Sequence, residues 1–177
     1  MMITLRPQAV EDAEKLYEIL THAEFPPFPK PLTLDDERMV IRQNTLKRKR
    51  GLEYTYVIVE DGKVVGGCGI KIDQYHRFIG ELGYFVAREE WGRGVATEAV
   101  RQLEKAGFEK LGLKRIEIRT PLNNSRSEKV ATKTGYTKEG VMRKAIKING
   151  TFYDALLYAK TEEDYFESQA TSSLSKS

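Results

Sequence analysis

A glycine loop between a strand and a helix is the feature that most restricts how this chain can fold. Residues 81–86 alternate between two faces, as a β-strand does, and Trp91-Gly92-Arg93-Gly94 separates them from a helical stripe of small apolar side chains that ends near Gly112. A further strand follows at residues 114–120. Residues 81–120 are therefore predicted to form a β-loop-α-β unit whose two strands run parallel.

Length and composition indicate one domain in a reducing compartment. A chain of 177 residues is the length of a single domain, and 29 basic against 26 acidic residues give a net charge of +3, which allows anionic ligands but does not indicate nucleic-acid binding. The single cysteine, Cys68, excludes an internal disulfide framework and a multi-cysteine metal site. No apolar run approaches the roughly 18 residues of a membrane helix. We expect a cytoplasmic protein that is neither exported nor anchored.

Turn and cap signals add further strands and helices to this unit. Asp61-Gly62 and Asn149-Gly150 each lie between two β-rich runs, as the turns of hairpins do, and Thr33 with Asp36 resembles a capping box. The predicted elements are a strand at 3–6, a helix beginning at Pro7, a helix at 33–50, strands at 54–59, 63–72, 81–86 and 114–120, a helix at 124–134, and strands at 136–147 and 151–160. This order predicts an α/β (α+β) domain with a mixed, mostly antiparallel sheet and flanking helices.

Two segments are expected to lie outside these elements. Phe25–Pro31 is rich in proline, which removes backbone donors, so it is interpreted as a connector or as an ordered loop over a site. The domain is expected to span residues 1–161. Residues 162–177 are acidic and then serine-rich, and we expect this tail to be frayed or disordered.

The glycine loop is predicted to bind an anion, and a pyrophosphate fits it best. The first turn of the helix presents backbone N–H groups without partners, and glycine lets phosphate oxygens approach them. A P-loop is excluded because Gly94 is followed by Val95 and Ala96 instead of lysine. A dinucleotide fingerprint is nearly met, but the second strand ends in Thr120-Pro121 without the required acid. The glycines could also serve only as a tight turn.

Several motifs together resemble the Gcn5-related N-acetyltransferase (GNAT) family. Gly94 and Ala96 occupy the two small positions of that family's (Gln/Arg)-x-x-Gly-x-(Gly/Ala) loop, while Trp91 departs from the first position and resembles the ribosomal-protein N-terminal acetyltransferase (Rim-type) branch. The remaining matches are Leu82-Gly83-Tyr84, Asn124-x-x-Ser127-x-x-Val130, Lys133-x-Gly135-Tyr136, and Asn149-Gly150 through Tyr153-Asp154 to Tyr158. The resemblance covers about residues 2–160.

The resemblance implies a fold, a donor and a class of acceptor. It implies one GNAT-like domain with about seven strands that uses acetyl-CoA and no metal. The acetyl group would pass directly, in a ternary complex, to a primary amine, with a protein N-terminal α-amine, such as that of a ribosomal protein, favoured. No membrane or nucleic-acid partner is expected, and monomer and homodimer both stay open.

The same resemblance assigns binding residues for the donor. The pantetheine arm would lie along the strand at Tyr84, Phe85 and Val86, as an added strand on unpaired amides. Asn124 would also bond this arm. The pyrophosphate would lie on the loop and first helical turn, formed by Gly92, Arg93, Gly94, Val95, Ala96 and Thr97.

Two side chains are the candidates for catalysis. Ser127 matches a serine near the sulfur, where a hydroxyl could donate to the departing thiolate; Ala131 stands where many family members have a tyrosine. Glu81 is the best-placed acid to accept the proton of the amine, and His76 is the alternative. Ser127 could instead decorate a helix surface, and Glu81 could be a solvated charge.

Other functions remain open at this point. The acceptor could be a small amine, although no block of carboxylates in the sequence indicates a polyamine site. The chain could bind acyl-CoA without catalysis. The basic run Lys47–Arg50 could contact RNA, or it could simply stabilise the carboxyl end of a helix.

Overall fold

The computed structural model describes residues 2–22, 33–148 and 150–174 and shows one seven-stranded sheet with helices on both faces. The strands are β1 (Ile3–Pro7), β2 (Glu53–Glu60), β3 (Lys63–Ile72), β4 (Ile79–Val86), β5 (Arg115–Pro121), β6 (Thr137–Ile148) and β7 (Thr151–Thr161). The helices are α1 (Ala13–Thr21), α2 (Leu34–Lys49), α3 (Val95–Lys105), α4 (Ser125–Lys133) and α5 (Glu162–Leu174).

The sheet has the order β1-β2-β3-β4-β5-β7-β6. Within the described residues, β4 and β5 pair in parallel and the other neighbours pair antiparallel, as the sequence predicted. The two predicted hairpins, β2–β3 and β6–β7, are confirmed. At the first of them Asp61 and Gly62 have φ of 46° and 85°, the two positive values that a type I′ turn requires.

The parallel pair separates after a short contact. Register is kept only from Ile79 opposite Arg115 to Glu81 opposite Glu117, although both strands continue beyond these residues. A gap therefore opens between the later parts of β4 and β5. It lies at the end of β4 that leads into the glycine loop.

Each face of the sheet carries its own packed layer. On one face Val100 and Leu103 of α3 pack with Ile70 and Ile116, all fully buried. On the other face Leu16 of α1 and Ile41 of α2 pack on Val57. The capping box at the start of α2 is confirmed, because the Thr33 hydroxyl accepts from the Asp36 N–H and the Asp36 carboxylate accepts from the Thr33 N–H.

The prediction that a helix begins at Pro7 is wrong. Pro7 lies in β1 opposite Tyr56, at the edge of the sheet, where its missing N–H needs no partner. A 3-10 turn, Val10–Asp12, then leads into α1. Asp12 stabilises the turn before α1, because its carboxylate accepts from the Ala9 N–H and pairs with Arg6 at 2.6 Å.

The expectation of a frayed tail is also wrong for residues 162–174, which form α5. Thr161 and Asp164 cap its first turn reciprocally. Tyr165 is 3% exposed, stacks on Phe108 with ring centroids 5.0 Å apart, and donates its hydroxyl to Glu109 at 2.7 Å. One capped turn and one buried ring thus attach an acidic helix to the domain.

Two predicted features fall outside the described residues. These are the segment Phe25–Pro31 and the turn residue Asn149. Within the described part of the chain, no helix is both long enough and apolar enough to cross a membrane.

We expect Tyr165→Ala to lower the free energy of unfolding by about 3 kcal/mol or more, because it empties a buried aromatic site and removes the anchor of α5. Phe166→Ala is the matched control, since that neighbouring ring is exposed and its loss should cost less than about 1 kcal/mol. Urea unfolding measures both. Equal stability of the two variants would contradict the docking of α5.

Candidate active site

The glycine loop leaves the first turn of α3 open to an anion. Gly92 and Gly94 have φ of 78° and 88°, and a Cβ at either position would meet no atom within 4 Å. Among the residues that the structure describes, no side chain caps α3, whose N-cap is Gly94. The backbone N–H groups at the start of α3 therefore point out of the protein without a side-chain acceptor.

Contacts around Trp91 and Arg93 hold this loop. The Trp91 indole donates to the Val86 carbonyl at 2.9 Å, and the Arg126 guanidinium lies 4.1 Å from the centre of its ring. Arg93 forms two hydrogen bonds with Glu60, at 2.8 and 3.1 Å, and also pairs with Glu90. The guanidinium of Arg93 is thus engaged by carboxylates, which leaves its backbone N–H as the group that an anion would meet.

A cavity of about 560 Å³ lies beside the loop. Gly94 and Thr97 line it together with two cationic side chains, Arg101 and Lys133. Arg101 is 3.9 Å from Glu98, whereas Lys133 pairs with no described residue. Open amides beside two cations suit a ligand with several phosphate groups, as in coenzyme A.

The gap between β4 and β5 exposes backbone groups of β4. The Ala87 N–H donates to the Val65 carbonyl in β3. Since backbone groups alternate along a strand, the N–H and C=O groups of Gly83 and Phe85 also point toward β3. The N–H and C=O groups of the alternate residues, Leu82, Tyr84 and Val86, point toward the gap. Tyr84 and Val86 therefore present amides where an added strand could pair. Phe85 differs, because its backbone lies opposite Gly67 and its ring packs over that glycine.

Ser127 lies across this gap from Tyr84. The Asn124 side chain caps α4 by accepting from the Ser127 N–H at 3.2 Å, and this cap places Ser127 in the first turn. The Tyr84 hydroxyl and Ser127 Oγ are 2.9 Å apart. Burial raises the pKa of Tyr84 to about 12, so the phenol stays protonated at neutral pH.

A groove of about 610 Å³ lies on the opposite face of β4, between α2 and strands β2 to β4. Glu81, Gly83, Tyr84 and Phe85 line it from β4. The Glu81 side chain is 42% exposed, and its carboxylate is 3.5 Å from Arg119. Glu81 therefore faces the same groove as Phe85, on the side of the sheet away from Ser127.

The groove gathers carboxylates that are scattered in the sequence. It is lined by Asp36 and Glu37 of α2, Glu53 of β2 and Glu81 of β4, together with Lys71. Sequence reasoning missed Glu37; a signal was available, because Glu37 stands three residues after Leu34 and four before Ile41 on the face of α2 that packs on the sheet.

Neither His76 nor Cys68 is placed to act on a substrate, although Cys68 lines the floor of the groove. His76 is exposed, in the loop before β4, where its backbone N–H and that of Tyr75 donate to the Asp73 carboxylate. It does not line the groove. Cys68 is buried in the sheet, and burial raises the pKa of its thiol well above the usual range.

Two residues of the basic run are engaged within the protein. Lys47 pairs with Glu53 at 2.9 Å. Arg48 lies 4.4 Å from the centre of the Tyr56 ring and donates to the Thr55 carbonyl at 2.6 Å. These contacts join the carboxyl end of α2 to β2, which agrees with a structural role for the run.

The family model of the GNAT acetyltransferase domain matches residues 2–137. The chain belongs to this family. It is an acetyl-CoA-dependent N-acetyltransferase, and its single seven-stranded mixed sheet is the fold of solved acetyltransferases.

Individual relatives differ in what their names say. The chain is 28% identical to an uncharacterized N-acetyltransferase p20 of Bacillus licheniformis, over 92% of this chain and 94% of that protein. It is 25% identical to the ribosomal-protein-S5-alanine acetyltransferase of Vibrio fischeri, with a TM-score of 0.81 over 93% and 95% of the two chains. It is 26% identical to the microcin C7 self-immunity acetyltransferase MccE in complex with acetyl-CoA and AMP, with a TM-score of 0.80 over 90% and 92%.

Proposed function

We propose that this enzyme transfers the acetyl group of acetyl-CoA directly to the α-amine of a protein N-terminus. The observation that carries the proposal is the groove of about 610 Å³ that follows β4 on the face opposite Ser127. A peptide end can enter such a groove and reach the strand whose amides face the gap on its other edge. The similarity to a ribosomal-protein-S5-alanine acetyltransferase supports this class of acceptor.

The donor side of the proposed site is built from backbone groups. Bound acetyl-CoA supplies an acetyl group activated as a thioester. Residues 92–97 hold the diphosphate on the open N–H groups of the loop and of α3, with the positive end of the helix dipole behind them. Tyr84 and Val86 pair with the pantetheine amides across the gap. Phe85 shapes the acceptor groove instead.

Ser127 is proposed to donate a proton to the departing sulfur. Since the Tyr84 phenol stays protonated, it can donate to Ser127 Oγ and leave the serine proton free for the sulfur. Asn124 acts through its cap, because the bond to the Ser127 N–H positions that residue in the first turn of α4. Tyr84 and Asn124 are thus positioning residues for Ser127.

Glu81 is proposed to accept the proton of the attacking amine. Its carboxylate lines the acceptor groove and remains partly exposed, so it can take the proton directly or through water and release it to solvent. His76 lies outside this groove, which favours Glu81.

The acceptor is tested by thiol release from acetyl-CoA. We expect short peptides with a free N-terminus, beginning with Ser, Ala, Gly or Met, to give higher kcat/KM values than spermidine or glycinamide, because only the peptides fill the groove. N-acetylated peptides are the control. Higher values for the small amines would contradict a protein acceptor, and no amine-dependent release at all would indicate a non-catalytic module.

We expect Gly94→Ala to weaken CoA binding about tenfold or more, because a Cβ at φ 88° stands where phosphate oxygens approach the amides. Gly112→Ala is the matched control: it also has a positive φ (66°) and open space around the added Cβ, but lies at the far end of the helical segment. Calorimetry with CoA measures both. Equal affinity of the two variants would contradict the proposed diphosphate site.

We expect Ser127→Ala and Glu81→Gln each to lower kcat by about 10²–10⁴-fold, the usual contribution of a proton donor or acceptor. The Kd of CoA should be unchanged in both, because neither side chain lies on the glycine loop. Thr132→Ala, on the exposed surface of α4, is the control. A kcat that survives either substitution would remove that residue from the proposed mechanism.

A further inference from the structure

Glu37 is an almost fully buried residue that lines the groove, and the described residues provide no partner for its carboxylate. Glu37 is 5% exposed and lines the groove, yet its side chain forms no hydrogen bond or ion pair with residues 2–22, 33–148 or 150–174. Glutamate is rarely this buried unless it is paired, because burial removes much of the water around its side chain. Burial accordingly raises the pKa of Glu37.

The other carboxylates of the groove each have a partner. Asp36 accepts from Thr33 at 2.8 Å in the capping box. Glu53 pairs with Lys47 at 2.9 Å, and Glu81 lies 3.5 Å from Arg119. The lack of a partner thus distinguishes Glu37 from the other acidic residues that line this groove.

The position of Glu37 on α2 directs it toward the sheet. Residues 34, 37, 41 and 44 share one face of the helix, and Leu34 and Ile41 pack there in the apolar layer. An apolar side chain would be expected between them. On the opposing sheet Gly83 of β4 lines the groove opposite Gly69, and a Cβ at Gly83 would meet no atom within 4 Å.

The groove therefore has room for a ligand group beside Glu37, and the carboxylate of Glu37 has no cation of the described residues paired with it. Four acidic residues and one basic residue, Lys71, line the groove, and Lys47 and Arg119 pair with two of the four, so Glu37 is the carboxylate left to bind a cation. Lys71 itself makes no ion pair with Glu37. A primary ammonium supplies both the positive charge and the hydrogen-bond donors that a buried carboxylate needs.

We propose that the Glu37 carboxylate binds the ammonium group of the acceptor in the groove and thereby selects free amines over their N-acetylated forms. This proposal rests on the proposed acetyl transfer to an amine and adds the residue that recognises it. Glu37 is a specificity residue here, and proton acceptance remains with Glu81.

The test compares Glu37→Gln with Asp35→Asn. Both variants remove one negative charge from the first turn of α2, but Asp35 points to solvent, so it controls for the general electrostatic effect. The probes are the tetrapeptide Ser-Ala-Gly-Ala and glycinamide, each with its N-acetylated form, titrated by calorimetry into protein saturated with CoA. The KM and kcat of the free amines are measured in parallel.

We expect Glu37→Gln to raise the Kd and KM of the free amines about tenfold or more, since a hydrogen bond between charged groups is lost. Binding of the N-acetylated forms and of CoA should not change, and Asp35→Asn should match the wild type. The free energy of unfolding of Glu37→Gln should equal or exceed that of the wild type, because an uncompensated buried charge is removed.

Other outcomes would overturn the proposal. They are an unchanged Kd for the free amines in Glu37→Gln, a loss of stability without a change in Kd, or equal binding of free and acetylated probes by the wild type. If Glu37→Gln does not fold, Glu37→Met, of similar volume, carries the same test. A further outcome separates the two proposals. If the tetrapeptide neither binds nor reacts while the Kd of glycinamide still rises in Glu37→Gln, the protein N-terminus is refuted as the acceptor and the role of Glu37 stands.

Discussion

The separation of β4 from β5 is the constraint on which the rest of the site depends. Pairing ends at Glu81 and Glu117, so the later amides of β4 have no strand partner on one edge. Because backbone and side-chain directions alternate along β4, the strand presents different groups to the gap and to the groove. Tyr84 and Val86 present amides to the gap, while Glu81 and Phe85 point their side chains into the groove on the other face. In the proposed mechanism this one strand separates the donor from the acceptor.

The proposed donor and acceptor sites, on the two sides of β4, carry electrostatic potentials of opposite sign that have different sources. Beside the glycine loop the positive potential comes from open backbone N–H groups and from Arg101 and Lys133, while the guanidinium of Arg93 is held by Glu60 and Glu90. In the groove the negative potential comes from side chains on α2, β2 and β4. The opposed signs suit an anionic nucleotide on one side of β4 and a cationic amine on the other.

The predictions that succeeded rest on interactions between residues close in sequence. The Asp61-Gly62 turn, the Thr33 capping box and the parallel unit of residues 81–120 follow from turn geometry, caps and periodicity. The predictions that failed needed distant partners. Pro7 remains in a strand because it pairs opposite Tyr56, and residues 162–174 form a helix because Tyr165 packs on Phe108.

The sequence by itself determined the fold family and the glycine loop, because both follow from local backbone preferences and from motifs in a set order. Only the tertiary structure decided which charges meet. It brought Asp36, Glu37, Glu53 and Glu81 to one groove and gave all but Glu37 a partner. The physical reason is that the energy of a charge depends on its burial and its neighbours, and for these residues both come from elements far apart along the chain.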